Sequence, residues 1–289
     1  MRLPDFLIIG AAKSGTTSLY VYLDKHPQVY MSPVKEPQFF AVDKKYEQGI
    51  EWYASLFQAA HPHQLCGEAS TDYAKYPQYP ETPARIAQTI PQVKMIYIMR
   101  HPVERSYAYY VHLRRHGKFE DTFEEEIANS NVCLDGSNYI MQIEHYLKFF
   151  PKESFLFLLM EDLIEKPAEV LNQIYDFLGI EQRIDLTQNE EIKANSFKTF
   201  FQDVIREKIT KPLKAIPGVS PLANRLPKKW RGWVYNNIIE KSYYGKEIKK
   251  QYLPQPMLPE TRQMLIEKFR ESNNRLAEFL GRDLSCWDK

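Results

Sequence analysis

No apolar run in the chain approaches the ~18 residues that a membrane-spanning helix needs, so a bilayer span is excluded. Cysteine is scarce. Cys66, Cys133 and Cys286 are odd in number and widely spaced, which argues against a disulfide framework. Reduced thiols predict a cytoplasmic location. An excess of charge of one sign is also lacking. Thirty-eight Lys and Arg stand against 37 Asp and Glu, a formal net charge of +1, so no global field draws the protein to nucleic acid or a membrane surface. Two local basic clusters, Arg114-Arg115-His116 and Lys228-Lys229-Trp230-Arg231, read as solvated helix faces. No signal-peptide layout precedes the first apolar segment, and no internal repeat is visible. What remains is an ordinary globular composition, 44% hydrophobic and 26% charged over 289 residues, enough for one large α/β core.

The chain is organised around residues 5–19, DFLIIGAAKSGTTSL. An apolar run, Phe6 to Ile9, ends at Gly10, and a turn of small residues carries Lys13, Ser14, Gly15, Thr16, Thr17 and Ser18. Leu19, Tyr22 and Leu23 then repeat at helical spacing. The pattern predicts strand, anion-cradling loop and helix. Backbone N–H groups in such a turn form a nest, the helix N-terminus adds partial positive charge, and Lys13 adds a full one. The order differs from the nucleoside-triphosphatase loop, where Lys follows the second glycine. Here Lys13 precedes Gly15, so the loop is expected to hold an anion without being built around a Mg-bound triphosphate.

Further along, Val29–Met31 and 65–68 read as short strands and 93–99 as a strand covered on both faces. Arg100 follows the last of these at once, and a helix is predicted over 103–116. Helices are also predicted at 47–58, at 82–89 with Thr82 as its cap, at 121–129 and at 137–150. Phe155–Met160 is the third strong strand, and a helix runs from Pro167 to Gly179. Residues 188–255 are polar, basic and proline-dotted, with helical pieces near 198–209 and 230–241. A last helix spans 259–280, with Met264, Leu265, Phe269, Leu276 and Phe279 as its apolar positions. The alternation predicts a three-layer, P-loop-like α/β fold with a central parallel sheet flanked by helices. We expect one domain over 1–289, its core at about 5–180 plus 258–281, with 188–255 as a variable helical insertion.

The loop string resembles the 5′-phosphosulfate loop of sulfotransferases that use PAPS (3′-phosphoadenosine-5′-phosphosulfate). HPQVYMSPVKEPQFF and FLGRDLSCW resemble the glycan (heparan sulfate) type branch and its bacterial relatives. The resemblance implies PAPS as co-substrate, PAP as product, no metal, and a hydroxyl or amine acceptor. It implies that Lys13 donates to the oxygen bridging phosphorus and sulfur, and that Ser14, Gly15, Thr16, Thr17 and Ser18 surround the phosphosulfate. Arg100 would grip the 3′-phosphate with its planar fork. Eight residues after that Arg the family has Ser; here it is Ala108. Ser106 lies nearby and is the candidate hydroxyl for binding the 3′-phosphate of the cofactor in its place, although two residues rotate a helical side chain by about 200° and Arg105 lies nearer the expected face. Glu36 matches the family's general base, with Asp43 and Glu68 as alternatives, and Ala69 stands where glycan members often have Lys. Because Glu36 precedes Pro37, an extended backbone is expected there.

Other motifs carry less. His61 and His63 with Cys66 read as a solvated loop, His112 and His116 lack a third ligand, and 228–244 reads as an amphipathic packing helix. Two competing functions are a P-loop nucleotide kinase or hydrolase, with Glu161 and Asp162 as metal carboxylates, and a non-catalytic PAP-binding protein. The oligomeric state is not legible.

Overall fold

The computed structural model describes residues 1–119, 121–181 and 255–289. Residues 1–112, 123–181 and 257–289 belong to one compact unit. Leu113–Thr122 groups with a second unit, whose remaining residues lie almost wholly outside those described. The helical pieces expected near 198–209 and 230–241, and the 228–244 stretch, lie outside the described residues.

Five strands form one parallel sheet: β1 (Phe6–Gly10), β2 (Val29–Met31), β3 (Leu65–Ala69), β4 (Lys94–Met99) and β5 (Phe155–Leu159). Their order is β2-β3-β1-β4-β5, with β1 in the middle. The chain crosses from β1 to one side for β2 and β3 and then to the other for β4 and β5. The carboxyl end of β1 is therefore the switch point, where open parallel sheets bind ligands.

The strands alternate between two cores. Leu7, Ile9, Met95, Tyr97 and Met99 face one side, with Phe39, Phe40, Tyr53 and Tyr139. Phe6, Ile8, Ile96, Ile98 and Leu158 face the other, with Leu19, Leu23, Val170 and Ile174. Each buried side chain of this kind contributes about 1.5–3 kcal/mol, so the two faces fix the register firmly. Phe6 pairs with Gly67, and a Cβ at position 67 would meet the Phe6 ring at 2.1–2.6 Å. A glycine is required there for the ring to lie across β3.

The helices follow the sequence pattern with shorter ends. The helix after β1 is α1 (Thr16–Asp24). The stretch 47–58 becomes Gly49–Ser55, preceded by a short turn of helix at Asp43–Tyr46. Thr82 begins its helix rather than capping it; Glu81 holds the cap position. The stretch 137–150 is shortened to Tyr139–Tyr146, capped by Asn138, whose side-chain oxygen accepts from the Met141 N–H, and a separate turn of helix, Val132–Asp135, precedes it. Pro167–Leu178 places Val170, Leu171, Ile174, Tyr175 and Leu178 on its buried face and ends at Gly179, φ +79°. The helix Pro259–Leu280 buries Leu265, Phe269 and Leu276, but Met264 is exposed, because it falls off the stripe that packs against the rest of the unit, chiefly the helix Tyr139–Tyr146. No described helix is long and apolar enough to cross a membrane.

Candidate active site

All five strands point the same way, so the segments following them share one edge of the sheet. From β1 the backbone enters the loop through Gly10, and the Ala11 N–H donates to the Ile98 carbonyl at 2.7 Å. The Ser14 N–H closes a turn on the Ala11 carbonyl at 3.1 Å. Lys13 sits at φ +70° and Gly15 at φ +96°. Left-handed residues flanking Ser14 turn the chain sharply into α1, whose first amides lack helical acceptors. Lys13, Gly15, Thr17 and Ser18 are partly accessible, while Ser14 and Thr16 are buried. The Ser14 hydroxyl lies against that of Tyr139 but has no partner in hydrogen-bonding geometry. An orphaned hydroxyl inside a nest of amides suits an anionic ligand oxygen.

Arg100 follows β4, next to the loop. Its Nη1 donates to the Lys13 carbonyl at 3.4 Å, and its Nη2 lies 3.9 Å from Glu104. Tyr139 fixes its backbone. The hydroxyl donates to the Arg100 carbonyl at 2.6 Å and accepts its N–H at 3.2 Å. Burial pushes the Tyr139 phenol up to about 12, so this clamp stays protonated throughout the physiological range.

Arg105 and Ser106 differ from what position along the helix suggested. Both are buried. The Arg105 guanidinium runs beneath the loop, donating from Nε to the Ala12 carbonyl and from Nη1 to the Cys133 carbonyl and Ser137 Oγ, each at 3.1 Å. It stacks on Tyr109, and Gly136 leaves room for it: a Cβ there would lie 2.7–2.9 Å from the guanidinium. Ser106 donates to the Pro102 carbonyl at 2.8 Å and lies 2.8 Å from Ser137 Oγ. These two residues support the loop from inside, because the face of the helix that carries them packs against it. Ala108 is half-buried.

Glu36 lies in the loop after β2. Its carboxylate accepts from the Thr71 N–H at 2.7 Å and the Thr71 hydroxyl at 3.3 Å, and pairs with Lys35 at 3.0 Å. The side chain is 29% exposed, so it remains reachable from solvent. The expected extended backbone is not found: Glu36 sits at φ +60°, and so does Gln38. Bonds made from a neighbouring strand outweigh the local preference. The Glu36 N–H donates to the Ala69 carbonyl at 3.0 Å and the Gln38 N–H to Ser70 Oγ at 2.9 Å. Two such residues cost on the order of 1–3 kcal/mol each, which the tethers to β3 offset.

The alternative carboxylates are placed differently. Asp43 is exposed and bonded to Arg85 at 2.6 Å. Glu68 is fully buried on β3, accepting from the Tyr73 hydroxyl at 2.6 Å and the Tyr53 hydroxyl at 3.1 Å. Burial raises its pKa to about 7, against which the tyrosine bonds pull it down. Since the folded-state pKa lies above the unfolded one, the native state binds the extra proton, and stability falls as pH rises from about 4.5 to about 7. Glu68→Gln should remove that fall, on the order of 3 kcal/mol, in urea titrations at pH 5 and pH 8. An unchanged pH dependence would mean that the carboxyl titrates normally.

Glu161, after β5, accepts the His101 N–H at 2.8 Å, and Asp162 accepts two bonds from Arg282 at 2.5 and 2.7 Å. Among the described residues no group of three or more His, Cys, Asp or Glu could hold a metal.

The loop with Lys13, the Arg100 guanidinium beside it and the tethered Glu36 carboxylate all follow strands of the same parallel sheet and so share its carboxyl edge. The chain belongs to the sulfotransferase domain family, whose chemistry is sulfuryl transfer: the family's model matches residues 3–212. It is 32% identical over 236 residues to the human bifunctional heparan sulfate N-deacetylase/N-sulfotransferase 3, covering 73% of this chain and 26% of that protein. The Drosophila melanogaster bifunctional heparan sulfate N-deacetylase/N-sulfotransferase is 29% identical over 241 residues, 73% of this chain and 23% of that one. The chain thus spans about a quarter of the length of these relatives. The fold matches a sulfotransferase from Alicyclobacillus acidocaldarius over the whole of both chains, with a TM-score of 0.69 at 23% identity.

Proposed function

We propose that this protein moves the sulfuryl group of PAPS to an amine or hydroxyl acceptor, its 289 residues acting as one domain. The observation that carries the reading is the shared edge: Lys13 on the loop after β1, Arg100 after β4 reaching the Lys13 carbonyl, and Glu36 tethered through Thr71 to the segment after β3. PAPS supplies the sulfuryl group and a phosphate leaving group. The loop amides, Thr17 and Ser18 bind the phosphosulfate, and Lys13 stabilises the negative charge that develops on the bridging oxygen. Arg100 binds the 3′-phosphate. Glu36 accepts the acceptor's proton as the new bond to sulfur forms, and the electron pair of the broken S–O bond leaves on PAP. The names of the relatives, N-sulfotransferases, support an amine as the first acceptor to try.

A kinase or hydrolase reading is weaker, because Lys13 precedes Gly15 rather than following it and both oxygens of Asp162 are taken by Arg282. A sulfuryl group carries less charge than a phosphoryl group, so no divalent cation is needed. PAP is expected to bind with unchanged affinity in excess chelator, by calorimetry, and labelled PAPS to pass its sulfur to an amino-sugar oligosaccharide. Loss of PAP binding on chelation, or preference for ATP with Mg, would overturn the reading.

A further inference from the structure

Glu104 stands between two guanidinium groups. It lies one helical turn beyond Arg100, 3.9 Å from Nη2, and its other carboxylate oxygen is hydrogen-bonded to Nη1 of Arg262. Arg262 comes from the first turn of the helix Pro259–Leu280, and its Nη2 donates to the Lys289 carbonyl at 3.0 Å. All three side chains are about a third exposed. An i,i+4 Arg–Glu pair would ordinarily close on itself. Here the long contact lies on the Arg100 side and the short one on the Arg262 side.

We infer that Arg262 is a positioning residue for nucleotide binding: it holds Glu104 away from Arg100 and so keeps the Arg100 guanidinium available to a phosphate. The inference rests on the reading of Arg100 as the 3′-phosphate ligand. An anionic phosphate and the Glu104 carboxylate compete for one cation. Whatever draws Glu104 aside favours the phosphate, and a second guanidinium also offsets the repulsion between the two anions. The C-terminal helix thereby acts on the cofactor site without touching the ligand. The pairs are partly exposed and screened by salt, so the effect is modest and largest at low ionic strength.

The test is calorimetry of PAP and of adenosine 5′-monophosphate, which lacks the 3′-phosphate, at low salt. Arg262→Ala should lose about two- to fivefold in PAP affinity, the span of exposed ion-pair couplings, and leave the monophosphate unchanged. Adding Glu104→Gln should restore PAP binding, and Arg262→Lys should retain most of it; a purely structural role would give neither. Arg100→Ala is the control for the underlying reading. If it weakens PAP selectively while Arg262→Ala does not, the positioning role is wrong and the 3′-phosphate reading stands. Equal loss of both ligands in Arg262→Ala, or no rescue by Glu104→Gln, also overturns it. If Arg100→Ala changes neither ligand, the 3′-phosphate reading fails and takes this inference with it.

Discussion

Replacing Glu36 by Gln should lower kcat by about 10²–10⁴-fold, the usual contribution of a general base, while PAP affinity and melting temperature barely move. An acceptor hydroxyl or ammonium is a poor nucleophile until its proton is removed. Gln keeps the size of the side chain and can still accept from the Thr71 N–H, but it cannot take that proton. The stability cost is confined to the pair with Lys35, an exposed contact of ~1 kcal/mol or less. Neither alternative carboxylate is placed to stand in. Asp43 is bonded to Arg85 near the surface, and Glu68 is sealed beneath two tyrosines. The check is a pH–rate profile of wild type and Glu36→Gln with any working acceptor. A variant that retains near-wild-type kcat would place the base elsewhere.

Lys13→Ala should lower kcat by about 10²–10³-fold, comparable to losing one donor from a preorganised oxyanion site. The charge matters where it develops, on the oxygen that leaves sulfur, so the loss belongs to turnover more than to binding. The loop itself should persist. Its turn is held by the Ala11 N–H on Ile98, by Arg105 on the Ala12 carbonyl and by Gly15, none of which uses the Lys13 side chain. Single-turnover rates with labelled PAPS, beside PAP calorimetry and a melting curve, separate these contributions. A rate within a few-fold of wild type would remove Lys13 from the chemistry.

The two predictions differ in how far sequence alone supports them. Lys13 was legible because strand, turn and helix follow within fifteen residues, and each is encoded locally. Glu36 was legible as a residue but not as a geometry. Its carboxylate is oriented by Thr71, 35 residues away, and its φ of +60° runs against the preference of a residue before proline. Only the pairing of its N–H with the end of β3 forces that conformation.

By itself, the sequence determined the order of alternating strands and helices, the parallel sheet, the strand–turn–helix at Gly10 and the place of Arg100 at the end of a buried strand. Period-two and period-3.6 apolar patterns and glycine positions are local signals, and they sufficed for these. It could not decide which polar residues face the ligand and which brace it. Arg105 and Ser106 lie in the same helical stretch that follows Arg100, yet they turn inward onto the Ala12 carbonyl and Ser137. Tyr139 clamps Arg100 from 39 residues away, and Arg262 reaches Glu104 across 158. Such contacts depend on how the helices pack over the sheet. A side chain's partner at long range is fixed by the volume and hydrogen-bonding needs of the assembled core, and no local pattern records it.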